Sequence, residues 1–228
     1  MVKRRVIETG EGIQDEFDVR LYDQMMRRMR DKGWLETGEI LKSGITEGQA
    51  LEVGPGPGYL GLEWLKNTQQ TTLKGLEISP AMISVAERNV QEYGMESRGQ
   101  YVEGNALEMP FDNDAFDAAF TNGSLHEWVD ALKVFDEIYR VLKPGGKYFI
   151  SDLRRDMNLL VKWFMKAVTK PKEMRAGLAS SIKAAYTVPE LNVILSESRL
   201  QNSITKGNLM GLVITGQKAG QHRFSQER

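Results

Sequence analysis

The apolar positions of this chain change period along its length. Between residues 15 and 43 they recur at helical spacing, with Phe17, Leu21, Met25 and Met29 at steps of four on one face. Gly33 divides this region, and a second helix is expected at 34–41. Gly44-Ile45-Thr46-Glu47-Gly48 reads as a turn. The run Ala50-Leu51-Glu52-Val53 then reads as a buried strand that ends in a glycine-rich turn, with a helix after it at 60–67. A second strand is expected at 73–78. Ser79-Pro80 opens the next helix, with serine as N-cap and proline at the first helical position, and its apolar stripe is Met82, Val85, Ala86 and Val90. Strands at 100–103 and 116–121 follow, then a helix at 131–142 closed by Pro144-Gly145-Gly146, then a fifth strand at 147–152. This alternation predicts parallel βαβ units in a doubly wound α/β sheet.

The rhythm breaks after Asp152. Residues 154–186 are helical in pattern and rich in Met, Ala and Lys, an insertion rather than another βα unit. Thr187 and Glu190 have the spacing of a capping box at a helix start. Strands at 201–206 and 210–216, with Asn208 between them, predict a closing hairpin. The expected organisation is an N-terminal arm and helices over 1–48, with 1–14 loose. The main domain covers 49–218, and a disordered polar tail covers 219–228.

Composition narrows the chemistry. A chain of 228 residues suits one core with an elaboration. The net charge of -1 gives no whole-molecule pull toward nucleic acid or an anionic membrane, although 162–172 forms a local basic patch. There are no cysteines, which excludes disulfides, thiolate metal sites and cysteine nucleophiles. With two histidines and no acid-rich cluster, no metal is expected. No stretch approaches the roughly 20 apolar residues of a membrane span. Lys3, Arg4 and Arg5 are not followed by an apolar run, so a secretory signal is not expected and a cytoplasmic location is.

Glu52-Val53-Gly54-Pro55-Gly56-Pro57-Gly58 lies at the first strand-to-helix turn, the edge where doubly wound sheets bind cofactors. Glycines there let the backbone approach a ligand, and the helix start offers free N–H groups. Glu77 ends the second strand, where an acid accepts hydrogen bonds from ribose hydroxyls. Gly56-Pro57-Gly58-Tyr59-Leu60-Gly61 also satisfies the dinucleotide pattern G-x-G-x-x-G, which keeps an NAD(P)-dependent oxidoreductase as a rival. That match begins two residues after the turn opens, and the chain closes on a hairpin instead of a second nucleotide-binding half.

Leu51 to Gly58 resembles the first motif of the class I S-adenosylmethionine-dependent methyltransferases, an acid ahead of alternating glycines. Leu76 to Met82 resembles their second motif, Glu103 to Phe111 their third, and Phe116 to Asn122 their fourth. Val141 to Lys147 is similar to the segment before their fifth strand, and Leu212 to Lys218 to their antiparallel last strand. The motifs run in family order over about residues 50 to 152, nearest in pattern to the small-molecule branch with the ubiquinone and menaquinone methyltransferases. The resemblance implies a Rossmann-like, doubly wound, seven-stranded, mostly parallel sheet with an antiparallel last strand and a helical insertion after strand five. It implies S-adenosylmethionine as cofactor, held by Glu52, Gly54, Pro55, Gly56, Gly58, Tyr59, Glu77, Ile78, Met82, Asn105, Ala106, Leu107, Asn122 and Gly123. The family usually has Asp at Asn105, whose amide oxygen can still accept from an adenine amino group.

Family members that methylate amino groups of DNA bases or glutamine often carry Asn-Pro-Pro-Tyr after strand four. This chain has Thr121-Asn122-Gly123-Ser124-Leu125-His126-Glu127-Trp128 instead, so a small-molecule acceptor is expected and nucleic acid is not. His126 is the candidate general base, because imidazole titrates near working pH; a helix cap or packing against the cofactor is the competing reading. The insertion at 154–186 carries Leu159, Leu160, Trp163, Phe164, Met165, Met174 and Leu178. It is expected to cover an apolar acceptor pocket, with a surface helix pair or a homodimer contact as alternatives. The implied reaction is in-line displacement at the sulfonium methyl, to which the protein contributes proximity and orientation. A cofactor-binding protein without transfer activity is the second rival.

Overall fold

The computed structural model describes residues 4–7 and 12–220. Two helices come first, α1 (Glu16–Asp31) and α2 (Thr37–Lys42). The βα units follow: β1 (Gln49–Val53), α3 (Tyr59–Lys66), β2 (Thr72–Glu77), α4 (Pro80–Glu92), β3 (Gly99–Glu103), β4 (Phe116–Asn122), α5 (Ala131–Val141) and β5 (Leu142–Leu153). The insertion forms α6 (Leu159–Val168) and α7 (Met174–Ala184), and the chain closes through α8 (Val188–Glu197), β6 (Ile204–Gly207) and β7 (Gly211–Gln217). The sheet has seven strands in the order β3-β2-β1-β4-β5-β7-β6. β7 runs antiparallel to both of its neighbours, and the other pairings are parallel. This is the architecture the motif order implies.

Strand alternation divides the core between the two faces. Leu51 and Val53 of β1 join Val134, Phe135 and Ile138 of α5 and Leu191 and Leu195 of α8. Ala50 of β1 joins Ile40 of α2 and Leu62, Trp64 and Leu65 of α3 on the opposite face. Burying both faces stabilises the sheet at about 25 cal/mol per Å² of apolar surface removed from water.

Three expectations are corrected. The Phe17–Met29 stripe is only partly packed: Leu21, Met25 and Met29 are half-buried, Phe17 is exposed, and the fully buried positions of α1 are Val19 and Met26. Steps of four drift about 40° per step around a helix, so a long series leaves the packed face. Pro144-Gly145-Gly146 does not merely end α5. These residues lie inside β5, which pairs Leu142 with Phe116 and then, after an irregularity, Lys147 with Ala118. Residues 4–7 are not a loose arm: Arg5 donates to the carbonyls of Ala184, His126 and Trp128, and its guanidinium lies 4.1 Å from the Tyr186 ring centroid. The capping box is formed, with the Glu190 N–H donating to Thr187 Oγ1 and the Thr187 N–H to Glu190 Oε2. The polar tail lies almost wholly outside the described residues. Among the described residues no helix is long and apolar enough to cross a membrane.

Candidate active site

The carboxyl ends of β1, β2 and β4 open onto one cleft, the position the parallel topology dictates. Gly54 and Gly56, at φ +66° and +53°, turn the chain there. A side chain at Gly54 would collide with Ser124, because an added Cβ comes within 2.7 Å of the Ser124 Cβ. Glu77 faces the turn from the end of β2. Its Oε2 accepts from the Gly56 N–H (2.9 Å), and its Oε1 accepts from the N–H groups of Ile78 (2.9 Å) and Ser79 (3.0 Å). Burial raises the Glu77 carboxyl above its ordinary range, and the Ser79, Gly56 and Ile78 N–H groups oppose that rise. The carboxylate thus ties the glycine turn to β2 while forming part of the cleft wall.

One end of the cleft is mostly apolar, with Ile78, Met82, Ala106 and Leu107 on its walls beside Asn105. Asn105 closes its own turn, its Oδ1 accepting from the Leu107 N–H (2.9 Å). A strap from the N-terminal region crosses the rim. Ser79 Oγ donates to the Ile13 carbonyl (2.6 Å), and Gly12 and Ile13 line the cleft with Tyr22 of α1. Burial raises the Tyr22 hydroxyl, and the Glu127, Glu77 and Asp152 charges add to it, so the phenol stays protonated.

Beyond Gly123 and Ser124 a short 3-10 turn, Leu125–Glu127, carries His126. The imidazole is 5% exposed, and its Nδ1 sits 3.0 Å from each carboxylate oxygen of Asp152 on β5. The His126 N–H also donates to Asp152 Oδ2 (2.6 Å). Because the carboxylate accepts, Nδ1 carries a proton. Nε2 lies 3.9 Å from Oε1 of Glu127, and Glu127 lines the cleft.

Residues 51–150 match the family model described as a methyltransferase domain. The chain is similar to the demethylmenaquinone methyltransferase of Bacillus subtilis, 43% identical over 142 residues, covering 57% of this chain and 60% of that protein. It is 27% identical over 186 residues to the 2-phytyl-1,4-naphtoquinone methyltransferase of a Nostoc species, covering 75% and 78% of the two chains. A solved S-adenosylmethionine-dependent methyltransferase from Aquifex aeolicus shares the fold, with a TM-score of 0.67 at 18% identity over 90% of this chain and 99% of that one. The match spans the βα units that build the cleft, and over residues 51–150 the chain is similar to S-adenosylmethionine-dependent methyltransferases.

The cleft fits S-adenosylmethionine on its own residues. An acid stands where ribose hydroxyls need an acceptor, apolar walls stand where a flat base needs contact, and an added Cβ on Gly123 would meet nothing within 4 Å. Of the residues expected at the cofactor, Gly54, Gly56, Glu77, Ile78, Met82, Asn105, Ala106, Leu107 and Gly123 line the cleft. Glu52, Pro55, Gly58, Tyr59 and Asn122 do not. Glu52 is buried on the α3 side of β1, where a Cβ on Gly61 would strike it, and burial pushes its carboxyl up to about 8. Tyr59 points at α1, its hydroxyl donating to Asp23 Oδ1 (2.9 Å). Asn122 donates to Glu36 and to Ser151 Oγ. His126 stands one residue behind the wall that Glu127 forms. The sequence motifs missed Gly12, Ile13 and Tyr22, because the N-terminal region has no motif of its own and reaches the cleft only by folding back. Neither α6 nor α7 lines the cleft among the described residues.

Proposed function

We propose that this methyltransferase moves a methyl group to a small apolar acceptor of the isoprenoid naphthoquinol type, with His126 as base and Asp152 as the residue that positions it. The observation that carries the reading is the Asp152–His126–Glu127 series running from β5 to the wall of the cleft that Glu77 also lines. The quinone acceptors named for the relatives support the acceptor class. S-adenosylmethionine, when bound, supplies an electrophilic methyl on a sulfonium whose bond breaks with the electron pair left on sulfur. Glu77 and the glycine turn hold and orient it, which is the protein's main contribution to a displacement of this kind. The acceptor ring gains the methyl and loses a proton, and His126 Nε2 takes that proton by way of the Glu127 side of the cleft. Asp152 holds the tautomer and stabilises the imidazolium that forms. The near-neutral net charge favours an acceptor without phosphate groups over nucleic acid, and the same reading sets the enzyme in the cytoplasm.

The test is turnover on a demethylated, prenylated naphthoquinol. His126→Gln should lower kcat by about 100- to 10,000-fold, the usual contribution of a positioned base. Asp152→Asn should lower it as well, by favouring the wrong tautomer. S-adenosylhomocysteine affinity should stay at the wild-type level in both. Full activity in both variants would remove the base assignment. Tight cofactor binding with no turnover on any prenylated quinol would favour a binding protein without transfer.

A further inference from the structure

The insertion turns its apolar side to solvent. Leu159, Leu160, Trp163 and Phe164 on α6 are 80%, 75%, 70% and 54% exposed. None of the ten residues of α6 is buried. The positions turned inward are Val161, Lys162 and Met165, and all three are only half-buried. An amphipathic helix ordinarily packs its apolar stripe on the core and shows its polar face to water; α6 half-buries Val161 and Met165 and leaves its four larger apolar side chains uncovered. A contiguous exposed patch of this kind marks an interaction surface.

The charge around the patch selects the partner. From Met157 to Lys172 the chain has Lys162, Lys166, Lys170 and Lys172 and no Asp or Glu, in a protein whose net charge is -1. A two-fold contact between copies would bring the same patch against itself, setting Lys166 and Lys172 of one copy near those of the other with Glu173 as the one exposed acid beside them in sequence. Apolar side chains with the exposed Lys166 and Lys172 close by in sequence match a bilayer surface that carries anionic headgroups, where the hydrocarbon faces insert and the ammonium groups remain at headgroup level. The whole-molecule charge does not exclude this, because screening limits the attraction to charges within about 10 Å of the surface.

We infer that α6 docks the methyltransferase on an anionic lipid bilayer, with Leu159, Leu160, Trp163 and Phe164 inserted at the interface. The position on the fold suits delivery of a lipid-dissolved acceptor. α6 packs on α7, and α7 packs on the 3-10 turn that carries His126. The docking surface stands apart from the acceptor assignment, and vesicles without any quinone test it alone.

Full-length protein should co-sediment with vesicles of phosphatidylcholine mixed with phosphatidylglycerol, much less with phosphatidylcholine alone, and less as salt rises. Lys166→Gln combined with Lys172→Gln should weaken that binding by roughly 25-fold, about fivefold for each lysine lost at an anionic surface. Trp163→Ser combined with Phe164→Ser should reduce binding to the level of the neutral vesicles. S-adenosylhomocysteine affinity unchanged in both double variants shows that the fold is intact. Tryptophan emission should shift to the blue on adding anionic vesicles, and that shift should vanish in Trp163→Phe. No co-sedimentation with either vesicle overturns the inference, as does binding that neither double variant alters. A lipid-free dimer that Trp163→Ser with Phe164→Ser dissociates also overturns it, in favour of self-association.

Discussion

Glu52 and Glu77 sit near the ends of adjacent strands, yet their surroundings give them different roles. Glu77 meets three backbone N–H groups and the cleft. On the proposed reading Glu77 also accepts from the ribose, so Glu77→Ala, which unties the turn as well, should weaken S-adenosylhomocysteine by about 1–3 kcal/mol by calorimetry, the scale of hydrogen bonds to a charged group. An unchanged affinity would place the ribose elsewhere. Glu52 is enclosed, its Oε2 has no hydrogen-bond partner among the described residues, and burial first, then the Glu77 charge, push it up to about 8. Its folded pKa lies above its unfolded value, so the folded state binds the extra proton. Stability from this group is therefore full below about pH 4.5 and declines as pH rises to about 8, by a total on the order of 5 kcal/mol. Glu52→Gln keeps the shape and removes the titration. Urea denaturation at the two ends of that window should show a smaller loss of stability for the variant, and equal losses would mean that Glu52 is not the titrating group.

At the scale of elements, the region around His126 is assembled by contacts between segments distant in sequence. Arg5 donates to carbonyls of α7 and of the His126 turn together. Arg155, buried where the insertion begins, donates to the Ala185 carbonyl and to Glu190, which fixes the passage from α7 into α8. Arg5→Ala should therefore loosen the turn without unfolding the sheet. Amide exchange should quicken at 125–128 and at the end of α7 while β1, β4 and β5 keep their protection. Equal protection throughout would show that the arm rests on the surface without holding the turn.

For the whole molecule, the strap at Gly12–Ile13 and Tyr22 of α1 close over a cleft built by the βα units. Ligand binding should couple these parts. S-adenosylhomocysteine at a hundred times its Kd should raise unfolding stability by about 2.7 kcal/mol. It should also slow amide exchange in α1 together with the 53–58 turn. NAD should do neither. Protection of the glycine turn alone would show that α1 closes independently of the cofactor.

Local sequence was enough for most of the framework. Alternating apolar runs and helical stripes gave the βα order, Ser79-Pro80 and Thr187–Glu190 marked helix starts, and Asn208 marked the hairpin, because caps and turns depend on neighbours along the chain. The glycine turn, Glu77 and the Asn105 segment were legible for the same reason: each is one loop at one strand end. Other features depend on partners that no spacing encodes. The sheet decides that Asp152 meets His126, since β5 lies beside β4 in parallel register with Ser151 opposite Asn122. It also turns Glu52 away from the cleft, since alternation along β1 points it at α3. The folding-back of the N-terminal region brings Tyr22 to the cofactor side. The outward face of α6 was hidden in a stripe that reads like any buried one, because periodicity reports that a helix has an apolar side and only packing decides what that side meets.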